Sequence, residues 1–392
     1  MAATAASNAT NPRPTGQGFG GDEFSNNLFS DLAPLLTLFG EQVTKQFLGM
    51  SMGWLDDILL AMGPLGIMTV IVSAIRVGRV KVLKAFVGRA RESQANAEKE
   101  ILSSTSVDVC ELWSGQEIIR ELGNPEGMKD LILLKAPIDV EVGSQRRMRR
   151  YASLFTTEPT RQFDDEEELV NISNGAPNIA LNVHNSTAST KELLACAILG
   201  ILLQLGALVF PAITTYYLKW RKGNSAVASY GYPCFAVGTL AMIVGMVFCG
   251  RVIEGSTAEH EFSLHPEGKS KGAGLRFLRL QRACTVSDQH FPSFPIFNSP
   301  KDLRIRTSRL RRVSYRCEHW PLVLTLFATI AAVVGFVSQF VGLRALHWSA
   351  TIFQLGVMLI MTIVRSIVRR GLARDPICYP LLDGHELAWL TL

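Results

Sequence analysis

Apolar residues run without a single charge from Leu193 to Leu218, from Gly231 to Gly250, from Pro321 to Leu343 and from Trp348 to Val364. An α-helix rises about 1.5 Å per residue, so crossing a hydrocarbon core of about 30 Å takes roughly 20 such residues. The first run has length to spare, and a tilt or a kink at Pro211 is expected in it. A fifth run, Ile58 to Ile75, is short for a span and carries Gly63-Pro64 near its start. Its main rival reading is a re-entrant or interfacial segment. The pattern predicts five transmembrane helices at 58–75, 193–218, 231–250, 321–343 and 348–364. Short turns pair the second with the third and the fourth with the fifth, giving one single span and two helical hairpins.

Charge decides the expected orientation. Arg76, Arg79, Lys81, Lys84, Arg89 and Arg91 follow the first run, "KDLRIRTSRLRRVSYRCEHW" precedes the fourth, and "RSIVRRGLARD" follows the fifth. Lys and Arg near span ends mark the cytosolic side. Five crossings put these flanks together if the amino terminus lies outside or in a lumen and the carboxyl terminus in the cytosol. Lys219, Arg221 and Lys222 dissent. Tyr216, Tyr217, Trp220, Tyr230, Tyr232 and Trp348 gather at one expected face, as interfacial aromatic belts do. The bilayer is the first partner implied, with anionic headgroups drawn to the basic flanks.

Outside the runs the pattern changes. Residues 1–25 are small, polar and rich in Asn, Gly and Pro, which reads as a disordered tail. It lacks the basic and apolar regions of a cleavable signal peptide. Leu28, Leu32, Leu35, Phe39, Val43 and Phe47 recur every three or four residues, so 26–55 is read as an amphipathic helix, lying on the bilayer or packed on the spans. Val80, Leu83 and Val87 form a shorter stripe, with Lys81, Lys84 and Arg91 turned away. Residues 76–142 combine this basic flank with a small α/β-like cytosolic segment. There, residues 93–123 read as two short helices ending at Gly123-Asn124-Pro125, and "KDLILLKAPIDVEV" reads as a strand. Residues 143–191, with the acidic run Asp164–Glu168 and much Asn, Ser and Thr, read as a disordered linker. Residues 251–320 read as a basic cytosolic loop without periodicity, and 365–392 as a cytosolic tail. The fold class expected is therefore an all-α membrane protein with this small α/β-like region.

Composition sharpens that reading: 48% of the 392 residues are hydrophobic and only 19% charged, against about 25% charged in soluble domains. The net charge of +5 is modest and gives no sign of nucleic acid. Seven cysteines without a C-x-x-C pair read as reduced packing residues. No catalytic motif, cofactor-binding motif or metal cluster stands out. Glu259, His260, Glu261 and His265 put their histidines five apart, where a zinc-binding helix needs four. Cys284, His290, Cys317 and His319 lack finger spacing. The five runs hold no charged residue, which argues against an ion-coupled carrier. Gln204, Gln339 and Gln354 remain, either as helix-to-helix contacts or as a polar path. Asn8-Ala9-Thr10 is an N-glycosylation acceptor on the expected outer side, whereas Asn171 and Asn185 fall on the cytosolic side. Ser314, after Arg311-Arg312, and Ser153, after Arg149-Arg150, fit a basophilic kinase pattern.

The stretches "FSNNLFSDLAPLLTLFGEQVTKQFL", "MGPLGIMTVIVSAIRVG", "VGRARESQANAEKEIL", "STSVDVCELWSGQEIIRELG" and "GLARDPICYPLLDGHELAWLTL" resemble a family of fungal multi-pass membrane proteins over most of the chain. The resemblance implies the membrane fold and no activity or functional residue. Some relatives continue into further soluble sequence, sometimes ankyrin-type, so ending at "HELAWLTL" reads as a shortened form. The expected function is non-enzymatic sensing or scaffolding through the cytosolic loops. The alternative is a channel or facilitator with a polar path between the hairpins.

Overall fold

The computed structural model describes residues 40–78, 80–106, 108–123, 129–135, 155–156, 177–184, 186–221, 226–264, 274–299, 304–311 and 319–391. Helix α1 covers 40–49, α2 Trp54–Ala61, α3 Ile67–Val77, α4 Lys81–Phe86 and α5 Gln94–Ile101. Strands β1 Val109–Trp113, β2 Ile118–Leu122, β3 Lys129–Lys135 and β4 Phe155–Thr156 come next, then the short helix α6 Ile179–Asn182. Helix α7, Thr190–Ala212, runs into a π-helical turn Ile213–Tyr217, and α8 is Gly231–Glu254. Strands β5 Thr257–Leu264, β6 Gly274–Gln281, β7 Cys284–Val286, β8 Gln289–Phe291, β9 Phe294–Phe297 and β10 Arg304–Leu310 follow. Helices α9 His319–Ala345 and α10 Trp348–Val368, strand β11 Ile377–Cys378 and helix α11 Glu386–Thr391 complete the order.

Four of these helices, α7 with its π turn, α8, α9 and α10, are long and apolar enough to cross a membrane. Their outward faces fit that medium: Leu202, Leu205, Val237, Ile330, Val337 and Leu359 are all exposed. A water-soluble bundle would bury such a belt. Helix α7 begins with a capping box, in which Ser189 accepts from the Glu192 N–H and Glu192 from the Ser189 N–H. Helix α7 continues through Pro211. It widens into a π turn at Ile213–Tyr217, where the Leu218 N–H reaches the Ile213 carbonyl at 2.9 Å.

The tightest contact in the bundle is between α8 and α9. Gly238 and Gly245 stand seven apart on α8, and Gly335 and Gly342 seven apart on α9. A Cβ on Gly245 would lie 2.7 Å from the Ala332 Cα, and one on Gly342 2.6 Å from the Phe235 Cα. The backbones meet because these side chains are absent, which is how spanning helices gain packing without hydrophobic drive.

The expected first span is corrected. Ile58–Ile75 is not one helix but parts of α2 and α3, of 8 and 11 residues, separated at Met62–Gly66. Gly63 and Gly66 take φ of +63° and +65°, left-handed values that stop a helix. The break packs beside Gly200, Val357 and Met361, roughly 10–15 Å in from the nearer ends of α7 and α10. Both outer ends return to the same end of the bundle. Trp54 stacks under Arg251 near the end of α8, at 4.6 Å, and Gly78 meets Thr325 near the start of α9. Gly63-Pro64 was the visible sign of this break.

That end of the bundle carries the sheets. One has the order β11-β9-β6-β3, another β10-β5-β4, and β1-β2 and β7-β8 are hairpins, all antiparallel. The loop read as aperiodic, 251–320, therefore supplies six strands. "CELWSGQEIIRELG", read as helix, is the β1–β2 hairpin turning at Ser114–Glu117, while a helix stands at α5 and the strand reading holds over Lys129–Lys135, the described part of its stretch. The linker reading of 143–191 is corrected at 177–184, where α6 is buried. Asn178 and Asn182 of α6 pair with the edge of β10: Ser308 N–H donates to Asn178 Oδ1 at 2.7 Å, and Arg306 N–H to Asn182 Oδ1 at 2.9 Å. Two asparagines one turn apart thus take the place of a neighbouring strand. Asn8, Asn171, Asn185, Ser153, Ser314 and Cys317 lie outside the described residues, as do Leu28 to Phe39 of the expected amphipathic helix.

Candidate functional site

Where α10 leaves the bundle, two arginines hold the elements around it together. The buried stripe of α10 runs Gln354, Val357, Met361, Val364, Arg365 and Val368. Arg365 continues the apolar side at helical spacing, so it turns inward and is 2% exposed. Its Nε donates to the Leu59 carbonyl at 3.1 Å, and its Nη2 to the carbonyls of Leu60, Met62 and Gly63 at 2.7, 3.0 and 3.0 Å. A helix end leaves carbonyls without internal partners and a partial negative charge. Arg365 satisfies both for α2, in place of a water or a glycine cap.

One turn on, Arg369 Nη2 donates to Asp56 Oδ1 at 3.1 Å and to the Phe47 carbonyl at 3.3 Å. Its guanidinium also stacks on the Phe47 ring at 4.4 Å. Phe47 and Leu48 belong to the same core as α2 and α3, so the part of the amphipathic helix that is described packs on the bundle. Beside this pair sits Asp57, fully buried, with neither carboxylate oxygen hydrogen-bonded among the described residues. Arg251 Nη1 approaches its Oδ2 at 4.0 Å. Burial, reinforced by the Glu254 charge, pushes the Asp57 carboxyl up to about 8. Burial also raises Asp56, against the pull of Arg369. Asp57 therefore retains its proton well above the usual carboxylate range.

An ion network continues from α3 to the sheet side. Arg76, 3% exposed, grips Glu92 through Nε at 2.9 Å and Nη2 at 2.6 Å and reaches Glu100 as well. Hydrogen bonds from Arg76 and then Lys45 hold Glu100 down to about 2, although burial opposes them. Lys99 pairs with Glu121 of β2 at 2.9 Å. Burial instead lifts Glu98 to about 7, while Ser104 and Ser106 donate to it at 3.0 Å each.

Between these groups opens a cleft of about 790 Å³, within the range of small-molecule sites. Gln42, Lys45 and Gln46 of α1, Trp113 and Arg120 of the β1–β2 hairpin, and Arg374 beyond α10 line it. Charges of both signs converge there around one indole, an arrangement able to hold a polar or zwitterionic group. Among the described residues the cleft shows no nucleophile paired with a base. Among the described residues no group of three His, Cys, Asp or Glu could hold a metal. Glu259, His260 and Glu261 lie on β5, where alternation sends His260 to the opposite face. His290 pairs across a hairpin with Thr285.

The three glutamines expected within the spans are all buried. Phe210 stacks on Phe353 at 4.9 Å, a register that brings Gln204 of α7 and Gln354 of α10 within about a turn of each other. Neither amide has a hydrogen-bond partner among the described residues, so the expected helix-to-helix hydrogen bonds are not made there. Gln339 lies at the α8–α9 seam, its backbone facing Gly238. Comparison with family models, with curated proteins and with solved structures found no match.

The junction itself was missed by sequence reasoning. Arg365 and Arg369 were read as topological charge, and the spans as free of charge. The signal was present in the spacing, because Arg365 falls four after Met361 on the buried stripe.

Proposed function

We propose that this chain is a non-enzymatic integral membrane protein that senses or scaffolds through the domain at one end of its four-helix bundle. In this reading α2–α3 is a re-entrant hairpin that does not cross. The basic flanks support a cytosolic position for the sheet-bearing end. Residues 40–53 then join the carboxyl-terminal tail there, so the amino-terminal side moves from its expected outer position. Sugar on Asn8 would overturn that placement. The fungal family resemblance is compatible with this reading and adds no activity to it.

The observation that carries the functional reading is the shared wall of the cleft. Helix α1 and the segment after α10 both line it, and Arg369 ties α1 to α10 at Phe47. An occupant that prefers one spacing of these two elements would shift the position of α10, and with it the hairpin held by Arg365. The test is a thermal-shift screen of polar metabolites on the full chain in nanodiscs, followed by hydrogen exchange. The expected hit stabilises the wild type, fails with Arg374→Ala, and protects residues 42–50 together with 58–66. Hits that ignore Arg374→Ala, or no hit at all, would refute the cleft as a sensor.

A second reading, a channel or facilitator, draws on the two unpartnered amides at Gln204 and Gln354. Buried amides without partners are costly in hydrocarbon, and a polar path between α7 and α10 would supply water to them. Solute flux in proteoliposomes that collapses on Gln204→Leu favours this reading. Absence of flux, with Gln204→Leu at least as stable as the wild type, removes it.

A further inference from the structure

Helix α4 has two apolar faces. Leu83 and Val87 pack inward on the core of the bundle. Val82 and Phe86, one turn apart, point the other way and are 79% and 89% exposed. The sequence stripe Val80, Leu83 and Val87 is thus the inner face, and Lys84 is buried with it rather than turned outward. Phe86 has no ring partner among the described residues. An aromatic so fully exposed on a packed helix calls for an occupant.

The level of α4 says which occupant. Gly78, three residues before α4, lies against Thr325, itself three residues inside the apolar stretch of α9 that begins at Leu322. That is about one helical turn from the end of the span, so α4 leaves the bundle at the boundary between hydrocarbon and headgroups. Lys81 on α4 and Arg89 and Arg91 just after it are exposed, Arg89 within 3.6 Å of Glu92, and residues 76–91 themselves contain no acidic residue. A bulky apolar tip within a cationic rim at that depth matches an anionic lipid surface.

We propose that α4 is an anionic-lipid anchor, with Phe86 and Val82 inserted among acyl chains and Lys81, Arg89 and Arg91 on phosphate and carboxylate headgroups. The inference rests on the bundle crossing a bilayer and goes beyond the sensing reading, which does not involve this face. It also gives the domain a fixed distance from the membrane, since the ion network of Arg76 begins at the same end of α3.

The test is photocrosslinking of the full chain in nanodiscs, with a benzophenone amino acid replacing Phe86 in one sample and Leu202 in another. Leu202 lies on the exposed belt of α7 and reports the bundle reading separately. The discs contain phosphatidylcholine alone or phosphatidylcholine with phosphatidylserine. Expected are lipid adducts at both positions, with the Phe86 adduct rising several-fold with phosphatidylserine and the Leu202 adduct unchanged. Lys81→Gln with Arg91→Gln should abolish that rise without reducing the Leu202 adduct. Adducts at Leu202 but none at Phe86 would overturn the anchor and leave the bundle standing. A Phe86 crosslink to another segment of the chain, or to a second copy, would overturn it in favour of a protein occupant. No lipid adduct at Leu202 would overturn the bundle reading and the anchor together.

Discussion

Replacing Arg365 with methionine keeps an apolar stem of similar length but strips four carbonyl oxygens, those of Leu59, Leu60, Met62 and Gly63, of their donor. Each hydrogen bond from a charged group is worth about 1.5–3 kcal/mol net, a gross loss of about 6 kcal/mol or more. Part of that is returned, because the variant no longer buries a guanidinium at a cost of several kcal/mol. The carbonyls stay behind without water, so the expected net loss is about 3–5 kcal/mol. Arg365→Lys should fall between, at about 1–3 kcal/mol, since a point charge with three donors cannot follow the fork of the guanidinium. Equilibrium unfolding in mixed micelles, followed by tryptophan fluorescence, measures both variants. Hydrogen exchange at Met62–Gly66 should accelerate with them. Arg370→Met is the control, because its pair with Glu192 is exposed on both sides and should cost at most about 1 kcal/mol. If Arg365→Met unfolds within about 0.5 kcal/mol of the wild type, the carbonyls are wetted and the capping argument fails.

Two further outcomes follow from the packing and the buried acids. Gly245→Ala puts a Cβ 2.7 Å from the Ala332 Cα, so α8 and α9 must part, at an expected cost of about 1–3 kcal/mol; Gly356→Ala, with nothing within 4 Å, should be neutral in the same unfolding assay. Asp57 keeps its proton up to about 8 in the folded chain, against an ordinary value of 3.8, so the folded state binds more protons across that interval. Stability from this group is intact below pH 3.8 and drains away as pH rises towards 8. Asp57→Asn should therefore match the wild type near pH 4, exceed it near pH 8, and flatten the unfolding profile between. A wild-type-like slope in Asp57→Asn would show that other buried acids, such as Glu98, set the pH dependence.

The four long helices were legible from residues alone, because hydropathy is a property of a contiguous run and the bilayer sets its length. The capping sequence at Ser189 and the Gly63-Pro64 break also depend on neighbours within a turn, but the span reading used neither, and 58–75 was expected as one helix. The sheets were not legible. Strand β3 pairs with β6, and β10 with β5, across separations that no local pattern encodes. The β1–β2 hairpin carries Glu, Leu, Gln and Ile, which suit a helix equally well, and only its pairing and burial made it strand. The junction was the least legible part. An arginine after an apolar run scores as a charge facing the cytosol whether it ends in water or under a helix terminus. Arg365 became a cap only when tertiary packing brought the open carbonyls of α2, some 300 residues earlier in the chain, within reach of its guanidinium. Burial and partnership belong to the assembled chain, whereas the capacity to donate those hydrogen bonds was in the side chain from the start.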